Sequence, residues 1–127
     1  MSTALQAVKI ATGITANDLL RSIKFYTEGL GFEIFEKHER DGVLRYAELR
    51  SGGFALFVGM DDFAKGRDRV KCVAMRIYVT TDQDINALAE QAKKAGIAVD
   101  GPAPLPWGPL AFSVTDPDGL GLTIANK

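Results

Sequence analysis

Arg76 and Tyr78 stand two residues apart on one predicted strand, so alternation puts a guanidinium and a phenol on the same face. Ala55 and Phe57 share a face on another strand, and Gly121, Thr123 and Ala125 on a third. Trp107 lies among Pro102, Pro104, Pro106 and Pro109, in a segment read as a rigid loop poor in backbone donors. Arg76 offers a fork for a carboxylate or another planar acceptor, and Phe57 and Tyr78 offer stacking surfaces. Trp107 can close over a ligand or plug the sheet edge. The structural alternatives are an Arg76–Glu48 ion pair, a Tyr78 hydroxyl left in water, Thr123 as strand filling and Phe57 as plain core.

Cysteine and histidine each occur once. Cys72 is the only cysteine, which excludes an intrachain disulfide. It lies beside a predicted strand and reads as an inert, buried thiol. His38, the only histidine, lies among Glu36, Lys37, Glu39 and Arg40. With Glu36 and with Glu48 on the adjacent strand it could form a metal site; the alternative is a solvated strand end.

An internal repeat positions these residues. Asp18 to Phe32 and Asp84 to Ile97 each read as a helix opened by an acidic residue, closed by glycine and followed by a strand, roughly sixty-six residues apart. Gly53–Val58 is echoed by Gly119–Ile124 at about the same separation. Asn17 or Asp18 can cap the first helix, whose apolar stripe is Leu19, Ile23, Tyr26 and Leu30. The second carries Ile85, Leu88, Ala89 and Ala92. Strands are predicted at 7–15, 32–40, 43–50, 54–59, 73–80, 97–100, 110–115 and 120–125, with Asp41-Gly42 as a hairpin turn. The fold class is α+β: two βαβββ modules forming a curved mixed sheet around a cleft. The modules are read as residues 1–59 and 72–127, joined by a linker over 60–71.

Composition narrows the function classes. With 127 residues, 46% of them hydrophobic and 24% charged, the chain reads as one ordinary globular domain. A net charge of −1 gives no pull toward nucleic acid or anionic lipid. Lys65, Arg67, Arg69 and Lys71 are offset by Asp61, Asp62 and Asp68, so the segment reads as a solvated linker. No secretion signal and no stretch of transmembrane length is evident, and a cytoplasmic protein is expected.

Phe25-Tyr26, Leu30-Gly31-Phe32 after Asp18 and Ser22, and Asp116-Pro-Asp-Gly119 before the last strand together resemble the vicinal oxygen chelate superfamily. That superfamily includes glyoxalase I, extradiol dioxygenases, and fosfomycin- and bleomycin-resistance proteins. The resemblance covers essentially the whole chain, and its motifs are scaffold rather than catalytic residues. It implies metal ligands from the first and last strands of each module, near Ala11, Phe57, Ala74 and Thr123. A catalytic metal needs about three strong protein ligands, and these residues do not supply them.

The expected function is therefore metal-independent binding of a small aromatic or anionic molecule in the cleft, with no cofactor. The ligand-binding candidates are Phe57, Arg76, Tyr78, Trp107 and Thr123. Small residues at Ala11, Gly13, Ala55, Gly121 and Ala125 make room. A cationic drug of the bleomycin type favours an acidic cleft, which Arg76 is not. The resemblance also implies a homodimer, in some members with exchanged modules. Two alternatives stay open: a superfamily enzyme of lyase or dioxygenase type with an atypical metal site, and a structural dimer without a ligand.

Overall fold

Two aspartates open the two helices. Asp18 accepts a hydrogen bond from the Arg21 amide at 3.1 Å, and Asp84 from the Asn86 amide at 3.0 Å. Each occupies a free donor of the first helical turn. The structure, a computed structural model, describes residues 3–67 and 69–127. Met1, Ser2 and Asp68, the last named above as offsetting the basic linker, lie outside the described residues.

The first half runs β1 (Ala11–Ala16), α1 (Leu19–Lys24), a π-helical turn (Phe25–Gly29), β2 (Glu33–Arg40), β3 (Val43–Ser51) and β4 (Phe54–Met60). The second runs β5 (Arg76–Thr81), α2 (Ile85–Lys94), β6 (Asp100–Pro104), β7 (Leu110–Thr115) and β8 (Gly121–Asn126). The sheet orders are β1-β4-β3-β2 and β5-β8-β7-β6. β1–β4 and β5–β8 pair in parallel, and the other pairs are antiparallel. The fold is thus α+β with two βαβββ modules. The two four-stranded sheets are separate and do not close on each other.

The core lies between the sheets and helices. Ile14, Leu19, Ile23, Tyr26, Leu49 and Leu56 from the first half pack in one cluster with Ile85, Phe112, Leu120 and Leu122 from the second. At Gly29 any added side chain would run into Ile97, so the π-helical turn sits directly against the second module. Polar contacts reinforce this seam. The Tyr26 hydroxyl donates to Asp116 Oδ2 at 2.8 Å. Asp118 accepts from the Asn17 amide at 2.9 Å and from Ser22 Oγ at 3.2 Å. Lys71 Nζ lies 2.8 Å from Asp61 Oδ2, with both side chains nearly fully buried, and donates to Asn17 Oδ1 at 2.6 Å.

Three sequence expectations are corrected. β1 starts at Ala11 rather than Ala7, and β5 at Arg76 rather than Val73. Cys72 and Ala74 have φ of 56° and 54°, a left-handed conformation that cannot continue a strand. The expected strand at 97–100 is displaced into the proline-rich segment, where β6 spans Asp100–Pro104. β6 is an outer strand of its sheet, so Pro102 and Pro104 need not donate to a second neighbour. Among the described residues no helix is long and apolar enough to cross a membrane.

Candidate functional site

Pairing on the second sheet sets Tyr78 opposite Thr123 and Arg76 opposite Gly121. Ile77 and Val79 pack into the core, so Arg76 and Tyr78 take the outer face. There Arg76 Nη1 donates to Thr123 Oγ1 at 2.9 Å, and the Thr123 and Ser113 hydroxyls are 2.9 Å apart. Trp107 reaches the same face from the β6–β7 connection. That loop is braced by the Leu105 amide donating to the Pro109 carbonyl at 2.8 Å and the Gly108 amide to the Leu105 carbonyl at 2.9 Å. The Trp107 and Tyr78 ring centres are 6.5 Å apart, and the two residues remain 66% and 61% exposed.

The structure therefore brings together Arg76, Tyr78, Trp107 and Thr123. Phe57 stands apart from them, on the first sheet. It stacks on Tyr46 at 5.8 Å, and Tyr46 on His38 at 4.5 Å, making a strip of three rings across β4, β3 and β2. His38 was weighed from sequence only as a metal ligand or a solvated strand end, and Tyr46 and Ser113 were missed there. Their signal was alternation along β3 and β7, usable only once the strand pairing is known.

The supposed Arg76–Glu48 ion pair is not formed. Glu48, 5% exposed, accepts from Arg50 Nε at 2.6 Å and lies 3.6 Å from Lys9 Nζ. The hydrogen bond from Arg50 holds its carboxyl below the usual carboxylate range against the opposing effect of burial, and Lys9 adds to the lowering. His38 Nε2 lies 3.5 Å from Glu36 Oε2, and Glu36 pairs with Glu48 across the sheet. Among the described residues, however, no three His, Cys, Asp or Glu side chains group so as to hold a metal. The Cys72 thiol is pushed above its ordinary value by burial and by Asp116 and Asp118, which disfavours the nucleophilic thiolate.

Two hollows lie near these faces. A groove of about 350 Å³ runs between β1 and β5, lined by Ile10, Thr12, Phe54, Tyr78 and Thr80. A hollow of about 240 Å³ lies between the modules and is walled by Leu30, Phe32, Leu88, Phe112 and Leu122. Among the described residues no charged one lines the second hollow. The convergent polar groups that fix a ligand's orientation are on the Arg76 face instead.

The fold and the motif-bearing seam define a class. The profile of the glyoxalase/bleomycin resistance protein/dioxygenase superfamily matches residues 8–124, and the chain belongs to that superfamily. Among solved structures, the chain is similar to TioX from Micromonospora sp. ML1, with TM-score 0.75, 18% identity, and 94% of this chain and 98% of that one covered. It is also similar to TnmS3, an antibiotic binding protein from Streptomyces sp. CB03234, with TM-score 0.72, 22% identity and 98% of each chain covered. A third is the virulence protein STM3117 from Salmonella typhimurium, with TM-score 0.69, 21% identity and 98% of each chain covered. No curated protein sequence matches the chain.

Register also tests whether a metal fits. Gly13 lies opposite Phe57 and Tyr78 opposite Thr123, so the counterpart of Ala11 is Arg76, two residues beyond Ala74. Ala74 lies outside β5 altogether. The four positions thus hold Ala11, Phe57, Arg76 and Thr123: a methyl group, a phenyl ring, a cation and one hydroxyl. This set does not fit a divalent metal.

Proposed function

We propose that this chain binds a small planar molecule without a metal, on the outer face of its second sheet. It does so as a homodimer, acting in the cytoplasm, where a lone cysteine is ordinary. The observation that carries this reading is the gathering of Arg76, Thr123, Tyr78 and Trp107 on one face, with two aromatic rings left largely in water. Exposed rings beside a fixed cation suit a flat ligand with a polar edge. The description of TnmS3 as antibiotic binding supports the same reading.

What the single chain leaves bare supports the dimer. Ile10, Val73, Met75, Tyr78 and Trp107 are all exposed, and a second copy would cover such surface. Its first-sheet strip of His38, Tyr46 and Phe57 is the natural opposite wall for a planar ligand. The test is a thermal-shift and Trp107 fluorescence screen of polycyclic aromatic antibiotics, with sedimentation velocity on the same samples. Stabilisation by a planar compound together with a dimer is expected. Failure of every compound to shift the melting temperature, or a strictly monomeric chain, overturns the reading.

A further inference from the structure

We infer that Arg76 takes the place of the metal as the fixed cation of this scaffold, and that the ligand of this face is an aromatic carboxylate. The inference rests on the proposed reading of the second sheet's outer face as the ligand site. In the second module the two positions where a metal would find its ligands are occupied by Arg76 and Thr123, and these side chains bond to each other at 2.9 Å. A divalent cation entering there would meet a guanidinium rather than a lone pair, and like charges at that separation repel.

The guanidinium is held, not merely present. It lies over Gly121, where an added Cβ would come within 3.0 Å of Arg76 Cζ and Nη2. Glycine is thus what lets the plane of the group settle on the strand. Thr123 accepts from Arg76, so its own proton can go to Ser113, which leaves the Ser113 hydroxyl hydrogen for a ligand. Among the described residues no carboxylate pairs with Arg76, and Glu48 is taken by Arg50 and Lys9. Only one of the guanidinium donors is used by Thr123. The rest match the two oxygens of a carboxylate, while Tyr78 and Trp107 offer ring surface beside it.

The test is isothermal titration of the full chain with anthraquinone-2-carboxylate and with its neutral carboxamide. It compares the unaltered protein, Arg76→Met and Arg76→Lys, with circular dichroism to show that each variant is folded. The carboxylate is expected to bind the unaltered protein about 10- to 100-fold more tightly than the amide. Arg76→Met should abolish that preference, weakening the carboxylate far more than the amide, and Arg76→Lys should restore part of it. Equal affinities for the two compounds, or a preference that survives Arg76→Met, overturn the inference while the proposed function stands. Absence of binding by both compounds overturns the inference, while the proposed function is decided separately by the antibiotic screen.

Discussion

The Tyr26 hydroxyl donates to Asp116 across ninety residues of sequence, joining the first helical motif to the last turn. Asp116 also accepts from the amides of Asp118 and Leu120 at 2.9 and 2.8 Å, so one buried carboxylate shapes its own turn and ties that turn to the other module. Burial, then Asp116 itself, pushes the Tyr26 phenol well above its ordinary range, which keeps it a donor at any physiological pH. Tyr26→Phe removes the donor and leaves a buried carboxylate oxygen short of a partner. A loss of about 1–3 kcal/mol is expected in urea denaturation.

The Asp61–Lys71 pair sets an acid limb on stability. The hydrogen bond from Lys71, helped by the Phe63 amide, lowers the Asp61 carboxyl below its ordinary value. A group lowered on folding contributes fully above the unfolded carboxyl value of about 3.9 and loses that contribution as pH falls through its folded value. Thermal melts between neutral pH and acid should therefore show stability falling on the acid side, with a shallower fall in Asp61→Asn. At neutral pH Asp61→Asn should already be less stable, because Lys71 is left buried without its counter-charge.

Gly121→Ala probes the guanidinium seat. The new Cβ meets only the far end of a flexible side chain, so stability should change by less than about 1 kcal/mol. Arg76 must shift from its present place, and affinity for a planar anionic ligand should fall several-fold in titration. Unchanged affinity would show that the seat over Gly121 does not matter to binding.

Trp107 is the only tryptophan and stands mostly in water. Its emission should be that of a solvated indole and should shift or quench when the outer face is filled. Trp107→Ala should leave stability within about 0.5 kcal/mol, because exposed side chains remote from the core contribute little, yet it should weaken ligand binding.

Zinc, nickel, manganese and iron(II) should each leave the melting temperature unchanged. A ligand at a hundred times its dissociation constant stabilises by about 2.7 kcal/mol. A shift of that order with any one metal would contradict the misfit seen at Ala11, Phe57, Arg76 and Thr123.

The scaffold was readable because period, caps and glycine stops agree along the chain. Leu19, Ile23 and Tyr26 are buried as their spacing predicted, and Asp18 and Asp84 cap as read. The failures have local physical causes. Cys72 and Ala74 adopt left-handed backbone without glycine to announce it, so β5 was begun too early and the counterpart of Ala11 was misplaced. Prolines were taken to exclude a strand, although an outermost strand tolerates them. The face shared by Arg76, Tyr78 and Thr123 was legible from alternation. The distance of Phe57 from that group, the partnership of Glu48 with Arg50 and the His38–Tyr46 stack depend on pairing between strands, which a single chain of letters does not carry.

The prolines of β6 have a consequence for assembly. A sheet's outermost strand exposes unpaired amides that invite another chain to add on. On β6, Pro102 and Pro104 withhold two of those amides. On β2, one of the two outer strands of the other sheet, Glu33, Glu36, Lys37, Glu39 and Arg40 crowd the rim with charge. These two rims therefore discourage fibril-like growth, and a second copy is left to approach through the opposite edges, β1 and β5, or through the broad faces of the sheets.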